Sequence, residues 1–411
     1  MDAHVLMNDF SGSVLVAEKG QIIYQNAYGY ADREWGVRNT IQGKYQVASV
    51  TKQFTACAIL LLAEQGKLNV NDKLSKYFPN FPKADTITIH MLLNNTSGLK
   101  TSGDIPGFDE YSTIRRDSIL KVIAKQGFEF LPGKRYKYSN LGYYILGFII
   151  SKVTSMSYSD FVYQNLIYKA GLQNSMINRW DTILEFRVKG YERKYTGWKN
   201  SIRFSIENRE SSGGLITNVE DLYKWNLALY SNQIISESSL KKMTTGNSRN
   251  YGYGIGIDTL QGHLKYSHSG TLRGFRSSLS HFPNDSLDVV ILSNNQSNVD
   301  VIANALAAIA LNIEVMPPYI HTEVKIDSNL IDSYVGKYFL KNGEELLLIK
   351  NEGKLFRKKS NSLIELKPES INKFFYADES DRQIEFLLDK TGKVEKVFLF
   401  IDGIKEEIRR E

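Results

Sequence analysis

The sequence predicts an α/β (α+β) protein: an antiparallel sheet flanked by helices and carrying a helical lobe, followed by a small C-terminal antiparallel β-barrel. Three observations predict it. Strand-like runs stand at Ser13–Gln25 and return from Tyr251 to Ser293, with helix-like apolar runs between them. Pro317 and Pro318 interrupt the chain after Met316. Beyond them lie eight short β-like runs separated by Asn-Gly, Glu-Gly, Thr-Gly and Asp-Gly turns.

The elements follow in order. Ser13–Ala17, a turn at Glu18-Lys19-Gly20 and Gln21–Gln25 read as a hairpin. Residues 30–44 read as a connecting loop. Tyr45-Gln46-Val47 leads into a helix whose stretch Phe54–Ala63 is almost wholly apolar, so it is buried all round, and Gly66 ends it. Leu68–Phe78 is turn-like, and Pro79 and Pro82 break helix. Ile87–Leu93 and Ser118–Gln126 read as helices, with a loop over 99–112 between them. Leu141–Ile150 is a buried helix entered through Tyr138 and Asn140, after the Pro132-Gly133 turn. Asp160–Ala170 is amphipathic, with Gly171 placed to cap it. Residues 180–210 are irregular, Gly213-Gly214 is hinge-like and Val219–Tyr230 is helical. Tyr251–Ile257 alternates with glycines. Leu264–His268, Phe275–Phe282 and Leu287–Ser293 are antiparallel strands, and Val301–Ile313 is an apolar helix. The terminal runs are Tyr334–Leu340, Glu345–Ile349, Lys354–Arg357, Leu363–Leu366, Phe374–Tyr376, Ile384–Leu388, Val394–Phe400 and Lys405–Arg409. This gives a first domain over 1–316, a linker over 317–330 and a barrel domain over 331–411.

Composition narrows the function. The 411 residues are 42% hydrophobic and 23% charged, as in ordinary globular proteins, and long enough for two or three domains. The net charge of +6 is spread along the chain with no basic block, so no nucleic-acid partner is expected. The single cysteine, Cys57, lies in the apolar helix and permits no internal disulfide. The run Leu141–Ile150 is about half the ~20 residues a membrane span needs, and Met1–Phe10 has no export-signal pattern. The six histidines form no metal-ligand spacing, so neither a metal nor a cofactor is expected. A G-x-S-x-G nucleophile elbow and a glycine-rich phosphate loop are both lacking.

Ser49 and Lys52 carry the chemistry. Positions three apart share a helix face, so the hydroxyl and the amine can meet. A hydroxyl needs a base to become a nucleophile, and a lysine beside an apolar core can lose its charge and serve as one. The plainer alternative is a capping serine and a surface lysine. S-x-x-K recurs at Ser97, Ser118, Ser238, Ser239 and Ser370, so the spacing decides little. What distinguishes Ser49 is the buried helix after it. Two further stretches follow in order: Tyr138-x-Asn140 on the loop entering the second buried helix, and His268-Ser269-Gly270 on a strand. A literal Lys390-Thr391-Gly392 lies in a terminal hairpin turn, outside any such context.

With these motifs the chain resembles the serine β-lactamase and penicillin-binding-protein superfamily, in its class C β-lactamase, D,D-peptidase and esterase branch. FSGSVLVAEKG at Phe10–Gly20, ASVTKQFTA at Ala48–Ala56, YKYSNLGYYILG at Tyr136–Gly147 and SHSGTLRGF at Ser267–Phe275 carry the resemblance, which covers residues 10–313. It implies a catalytic Ser49 forming an acyl-enzyme, with Lys52 taking or relaying its proton. Tyr138 would bridge the two, its pKa drawn down by nearby cations. Asn140, His268, Ser269 and Gly270 would bind substrate, and the backbone N–H groups of Ser49 and Thr271 would form the oxyanion hole. Which group is the base stays open. Arg273 and Arg276 read either as surface residues or as a carboxylate site.

The implied substrate is a small peptide amide with a D-amino acid, or a carboxylic ester. The alternatives are a β-lactamase or D,D-carboxypeptidase acting on a β-lactam or peptide, and a sensor that acylates and stalls. Histidine at 268 replaces a lysine usual in β-lactamases, removing a permanent cation. The terminal module resembles a lipocalin-like barrel. It is open to a structural role, to homo-oligomerisation or to a loop reaching the site. The family points to a periplasmic or extracellular location.

Overall fold

Six antiparallel strands form the sheet that carries the site. The structure, a computed structural model, describes residues 1–8, 10–100, 116–195, 197–202, 209–341, 343–360, 362–378 and 380–411. The strands are β1 (Gly12–Glu18), β2 (Gln21–Tyr28), β3 (Gly256–Leu260), β4 (His263–Leu272), β5 (Phe275–Phe282) and β6 (Leu287–Ser293), in the order β3-β4-β5-β6-β1-β2. The two sequence ends of the unit meet at its centre, where β1 pairs with β6 from Gly12 opposite Ser293 to Glu18 opposite Leu287. These central strands are buried almost throughout, and they read as continuous apolar runs for that reason. β2, at the sheet edge, has no buried residue. Lys19 and Gly20, both at positive φ, close the β1–β2 hairpin in the conformation that matches strand twist.

The four longest helices among the described residues are α1 (Thr51–Glu64), α2 (Asn140–Thr154), α3 (Val219–Tyr230) and α4 (Val299–Ala310). Every residue of α1 from Thr51 to Leu62 is buried. Phe54 of α1 stacks on Trp225 of α3 at 3.8 Å between ring centroids, and the Trp225 indole N–H donates to Gln53 Oε1 at 3.2 Å. α2 is fixed by its entry. Ser139 caps it by accepting from the Leu141 N–H, while the Ser139 N–H donates to Asn95 Oδ1. Asn95 itself stands at φ +61°, in the loop that ends the helix Ile89–Leu93.

Several segments differ from the sequence reading. The loop over 30–44 contains a short strand pair, Tyr30–Asp32 with Val37–Arg38, and the stretch 180–210 contains a hairpin, Tyr191–Lys194 with Gly197–Asn200. Runs of two to four residues are too short to show a period. The amphipathic segment at 160–170 is a short helix, Tyr158–Val162, continued by a π-turn over Tyr163–Ile167. Asp2–Asn8 is helical. Gly213-Gly214 is a packing point ending a short helix, Glu210–Gly213, because a Cβ on Gly214 would lie 2.7 Å from Glu210 Cα. Most of the loop over 99–112 lies outside the described residues.

The chain divides into two compact units, Phe10–Ala303 and a second made of Met1–Asp9 with Asn304–Glu411, so the division falls within α4. The second unit holds a closed barrel of eight antiparallel strands: β7 (Gly336–Phe339), β8 (Glu345–Asn351), β9 (Lys354–Lys359), β10 (Ser362–Pro368), β11 (Lys373–Tyr376), β12 (Gln383–Leu388), β13 (Val394–Ile401) and β14 (Ile404–Arg410). Tyr334, Tyr338, Phe374 and Phe386 fill it. The stretch 317–330 is not free chain, since Tyr319 donates to Glu369 at 2.6 Å and His321 bridges Glu369 and Asp381. The literal Lys-Thr-Gly is spent on the β12–β13 turn, where Asp389 Oδ1 accepts from Thr391 and Lys393 and Gly392 stands at φ +82°.

Gly254 shows how tightly α1 is held. It stands at φ +69°, and a Cβ there would lie 2.6 Å from the Lys52 carbonyl oxygen. Gly254→Ala is expected to lose about 2 kcal/mol or more in urea unfolding, through steric and backbone strain together. Gly20→Ala, at φ +81° with open space around it, is expected to lose only about 1 kcal/mol. An equal or larger loss at Gly20 would refute this account.

Candidate active site

Ser49 sits on a turn that its neighbours force into shape. A three-stranded sheet of Tyr45–Gln46, Leu215–Thr217 and Met176–Ile177 delivers the chain to it, and the Val47 N–H donates to Leu215 O at 3.1 Å. Ala48 then takes φ +47°, a left-handed conformation costing about 1–2 kcal/mol in a residue with a Cβ. Ser277 Oγ donates to Val47 O at 2.8 Å, and Thr51 Oγ1 donates to Ala48 O at 2.6 Å. Leu215 N donates back to Thr51 Oγ1. Ser49 is half-buried between buried Ala48 and Val50, so it is the accessible point of the turn.

Lys52 lies one turn further along, fully buried. Its Nζ stands 2.9 Å from Ser49 Oγ, 2.7 Å from Asn140 Oδ1 and 2.7 Å from the Ser212 carbonyl oxygen. The rings of Tyr138 and Tyr143 lie 5.0 Å and 5.5 Å from the amine. Burial, aided by the positive charge of Arg209, pushes the Lys52 pKa well below the ordinary lysine value. A neutral amine has two N–H bonds and one lone pair. Asn140 Oδ1 and Ser212 O can only accept, so they take the two N–H groups. The lone pair is left facing Ser49, whose hydroxyl then donates to it.

Tyr138 completes the group, its hydroxyl within hydrogen-bonding reach of Ser49. The expectation that cations lower its pKa is corrected. Burial raises it, and the Ser49 contact only partly offsets that. The nearest cation, Lys52, is itself driven neutral and cannot stabilise a phenolate. Tyr138 therefore keeps its proton at neutral pH.

The third motif lies on β4, beyond the point where β3 stops pairing at Ser267. Side chains alternate there: Ser269 and Thr271 are exposed, His268 and Gly270 buried. Gly270 is required by contact, because a Cβ would lie 2.2 Å from Val47 O and 3.0 Å from Ala48 Cβ. The strand thus rests directly on the serine turn. His268 donates through Nδ1 to the Ser269 carbonyl at 2.7 Å, which leaves Nε2 to accept from the Tyr251 hydroxyl at 3.0 Å. Burial, then the proximity of Lys52, lowers its pKa to about 3. It is neutral, both ring nitrogens are engaged within the protein, and Ser269 is the motif residue whose side chain meets open space.

Ser49, Lys52, Tyr138, Asn140 and the His268–Gly270 strand are thus brought to one place. Tyr251 and the Ser212 carbonyl join them unpredicted. Tyr251 packs edge-on to both Tyr138 and His268, at 6.0 Å and 5.9 Å. Its only sequence signal is the tyrosine–glycine alternation at Tyr251–Gly254. Arg276 lies opposite Thr271 on β5, half-buried. Among the described residues no cluster of three or more His, Cys, Asp or Glu could hold a metal, and no helix is long and apolar enough to cross a membrane.

Comparison with known proteins identifies the family and the fold. A family model described as Beta-lactamase matches residues 7–312. Penicillin-binding protein 4* of Bacillus subtilis (strain 168) is 27% identical over 437 residues, covering 98% of this chain and 95% of that protein. The crystal structure of a penicillin binding protein from Bacillus halodurans superposes with a TM-score of 0.65 at 28% identity, over 76% of this chain and 99% of that one. A D-amino acid amidase from Ochrobactrum anthropi SV3 shares the fold at 21% identity with a TM-score of 0.69, over 76% of this chain and 97% of that one. The chain belongs to the beta-lactamase family, and with it to a family of hydrolases.

Proposed function

We propose that the protein is a serine hydrolase that forms an acyl-enzyme at Ser49 and cleaves a D-amino-acid-containing peptide amide or a carboxylic ester. The observation that carries this reading is the Lys52 amine. It is buried, driven neutral, and held by two acceptor-only oxygens so that its lone pair faces Ser49 Oγ at 2.9 Å.

In this mechanism Ser49 Oγ attacks the acyl carbon and its proton passes to Lys52 Nζ. The negative charge on the acyl oxygen is met by the backbone N–H groups of Ser49 and Thr271. Tyr138, protonated and next to Ser49, passes a proton to the leaving amine or alcohol and is reprotonated from Lys52. Water then attacks the ester, its proton is taken by the same Tyr138–Lys52 pair and passed to Ser49 Oγ as the acyl–oxygen bond breaks, and the serine is restored. Asn140 orients Lys52 and offers its amide N–H to the substrate. His268 acts as a positioning residue, since it holds Tyr251 against Tyr138. The catalytic work belongs to the domain over 1–316, and the barrel over 331–411 supplies none of these residues.

A second reading, D,D-carboxypeptidase or β-lactamase action, draws support from the penicillin-binding relatives. The neutral histidine at 268 weighs against it, because that position lacks the cation that would grip a substrate's terminal carboxylate.

Intact-mass measurement with penicillin, a fluorophosphonate and short esters tests the proposal. The native protein is expected to gain one acyl or phosphonyl group, and Ser49→Ala none. Ester turnover by Ser49→Ala is expected to fall at least about a thousandfold. Turnover at the native rate in Ser49→Ala would end this mechanism, and a long-lived penicillin adduct without turnover would favour a sensor.

The Lys52 shift has a pH signature. Turnover is expected to rise with pH through the depressed Lys52 pKa, and Lys52→Arg, which cannot become neutral, is expected to lose about a hundredfold or more in kcat. Stability follows the same sign. Between the depressed folded value and the ordinary value of 10.5, the unfolded chain binds a proton that the folded chain has released. Folding stability therefore rises with pH in that window, by at most about 1.4 kcal/mol per pH unit, and the contribution is lost as pH falls through the folded value. Urea midpoints of the native protein and Lys52→Met at pH 7.5, 8.5 and 9.5 should diverge accordingly. Parallel midpoints would show that Lys52 is not perturbed.

A further inference from the structure

Side chains alternate along a strand, so residues two apart share a face. In the barrel of the second unit most inward positions are apolar: Leu346 and Leu348 on β8, Leu355 on β9, Phe374 on β11, Ile384 and Phe386 on β12. At one end of the barrel the same rows turn polar. Arg357 and Lys359 stand two and four residues on from Leu355, Tyr376 stands two on from Phe374, and Arg382 stands two before Ile384. A cavity of about 200 Å³ opens at this end, bounded by Leu346, Arg357, Tyr376, Arg382 and Leu399, among others. A small barrel either fills its interior with side chains or holds one small ligand there. Polar groups turned inward at an open end fit the second case.

What the cavity floor lacks is an acceptor. Tyr376 is 3% exposed, and its hydroxyl has no hydrogen-bond partner of proper geometry. Its polar neighbours include the guanidinium groups of Arg357 and Arg382, the latter 4.4 Å from the ring centroid. A guanidinium only donates, so neither can take the phenol proton. Burial raises the Tyr376 pKa above its ordinary value, so the hydroxyl stays a donor at neutral pH. Arg357 is 8% exposed. Its Nη2 donates to Glu344 Oε1 at 3.2 Å, an oxygen that also accepts from Lys359 at 3.3 Å. No other acceptor among the described residues bonds to Arg357, so the remaining N–H groups of its fork are uncommitted. Arg382 is committed elsewhere, through Nε to Ser380 Oγ at 2.7 Å and through Nη2 to Asp378. Glu406, opposite Leu399 on β14, accepts from the Lys341 N–H at 3.2 Å. A buried donor with no acceptor calls for an explanation, and a bound ligand is one.

We propose that the open end of the barrel binds a small carboxylate with a short apolar body, its oxygens accepting from Arg357 and from the Tyr376 hydroxyl, its body packed on Leu346 and Leu399. A planar carboxylate matches the guanidinium fork and takes a charge-assisted bond from the phenol as well. A cavity of about 150 Å³ holds benzene, so a body of about six carbons fits here. A free short-chain acid and the C-terminal residue of an apolar peptide share this chemistry. The site lies in a different unit from Ser49 and does not depend on the hydrolase reading.

Calorimetry on the full chain tests this with three probes: 4-methylpentanoate, its uncharged amide 4-methylpentanamide, and N-acetyl-leucine. The native protein is expected to bind 4-methylpentanoate or N-acetyl-leucine with a Kd of about 1 mM or tighter, and the amide at least about tenfold more weakly. Tighter binding of 4-methylpentanoate identifies a free acid as the ligand, and tighter binding of N-acetyl-leucine a peptide terminus. Arg357→Gln should weaken the better acid about tenfold. Tyr376→Phe, which removes one oxygen and keeps the ring, should weaken it about fivefold. The comparison of acid with amide needs no variant, so the test stays decisive if Arg357→Gln fails to fold. Binding of neither acid at about 10 mM overturns the proposal, leaving the mouth to water. Equal affinity for acid and amide, or affinity unchanged in both variants, overturns it too.

Discussion

The rest of the site depends on one buried amine. Lys52 is sealed inside α1, and its charge is expensive there. Among the described residues no carboxylate pairs with it, as one would to hold it ionised. The protein offers two carbonyl-type oxygens, Asn140 Oδ1 and Ser212 O, and places Arg209 where it repels a proton. Burial and the Arg209 charge favour the neutral form. Because those oxygens can only accept, they fix which way the lone pair points. Burial and Arg209 set the protonation state, and the two oxygens set the aim.

That arrangement constrains backbone far from the amine. Asn140 must start α2 at a set height, so Ser139 caps the helix and is tied to Asn95. The Ser212 carbonyl must point at the Lys52 amine, so the chain turns through Gly213-Gly214 before pairing as Leu215–Thr217. Ala48 is held left-handed beside Ser49, and β4 crosses it at Gly270 with no room for a Cβ. The strain at Ala48, about 1–2 kcal/mol, is sustained by hydrogen bonds to Val47 O and Ala48 O from Ser277 and Thr51. The sheet is a frame that stops this turn from relaxing.

Much of this was legible in the sequence, and the illegible part has a common cause. The sheet strands, the four longest helices and the eight barrel strands carry strong periods and clear turn residues. Ser49, Lys52, Tyr138 and Asn140 could be read because the first pair is local and the second sits at a helix entry. Ser212 could not, because it acts through a backbone carbonyl, which every residue has. Tyr251 could not, because its partners Tyr138 and His268 are distant in sequence, and pairing across a fold leaves no spacing to find. The Tyr138 pKa was misjudged for a related reason. The sequence announces a lysine nearby but not that the lysine is itself discharged by burial. Charge states in a buried cluster are collective, and a list of residues does not contain them.

The neutral His268 then has a consequence for recognition. At this place in the third motif, a lysine would supply a fixed positive charge within the reacting group. It would also stand close to Lys52 and depress its pKa further. His268 removes that coupling: it is discharged by burial, locked by Ser269 and Tyr251, and contributes packing where a lysine would contribute charge. Charge recognition, where the molecule retains it, has to come from groups outside the proton-transfer cluster.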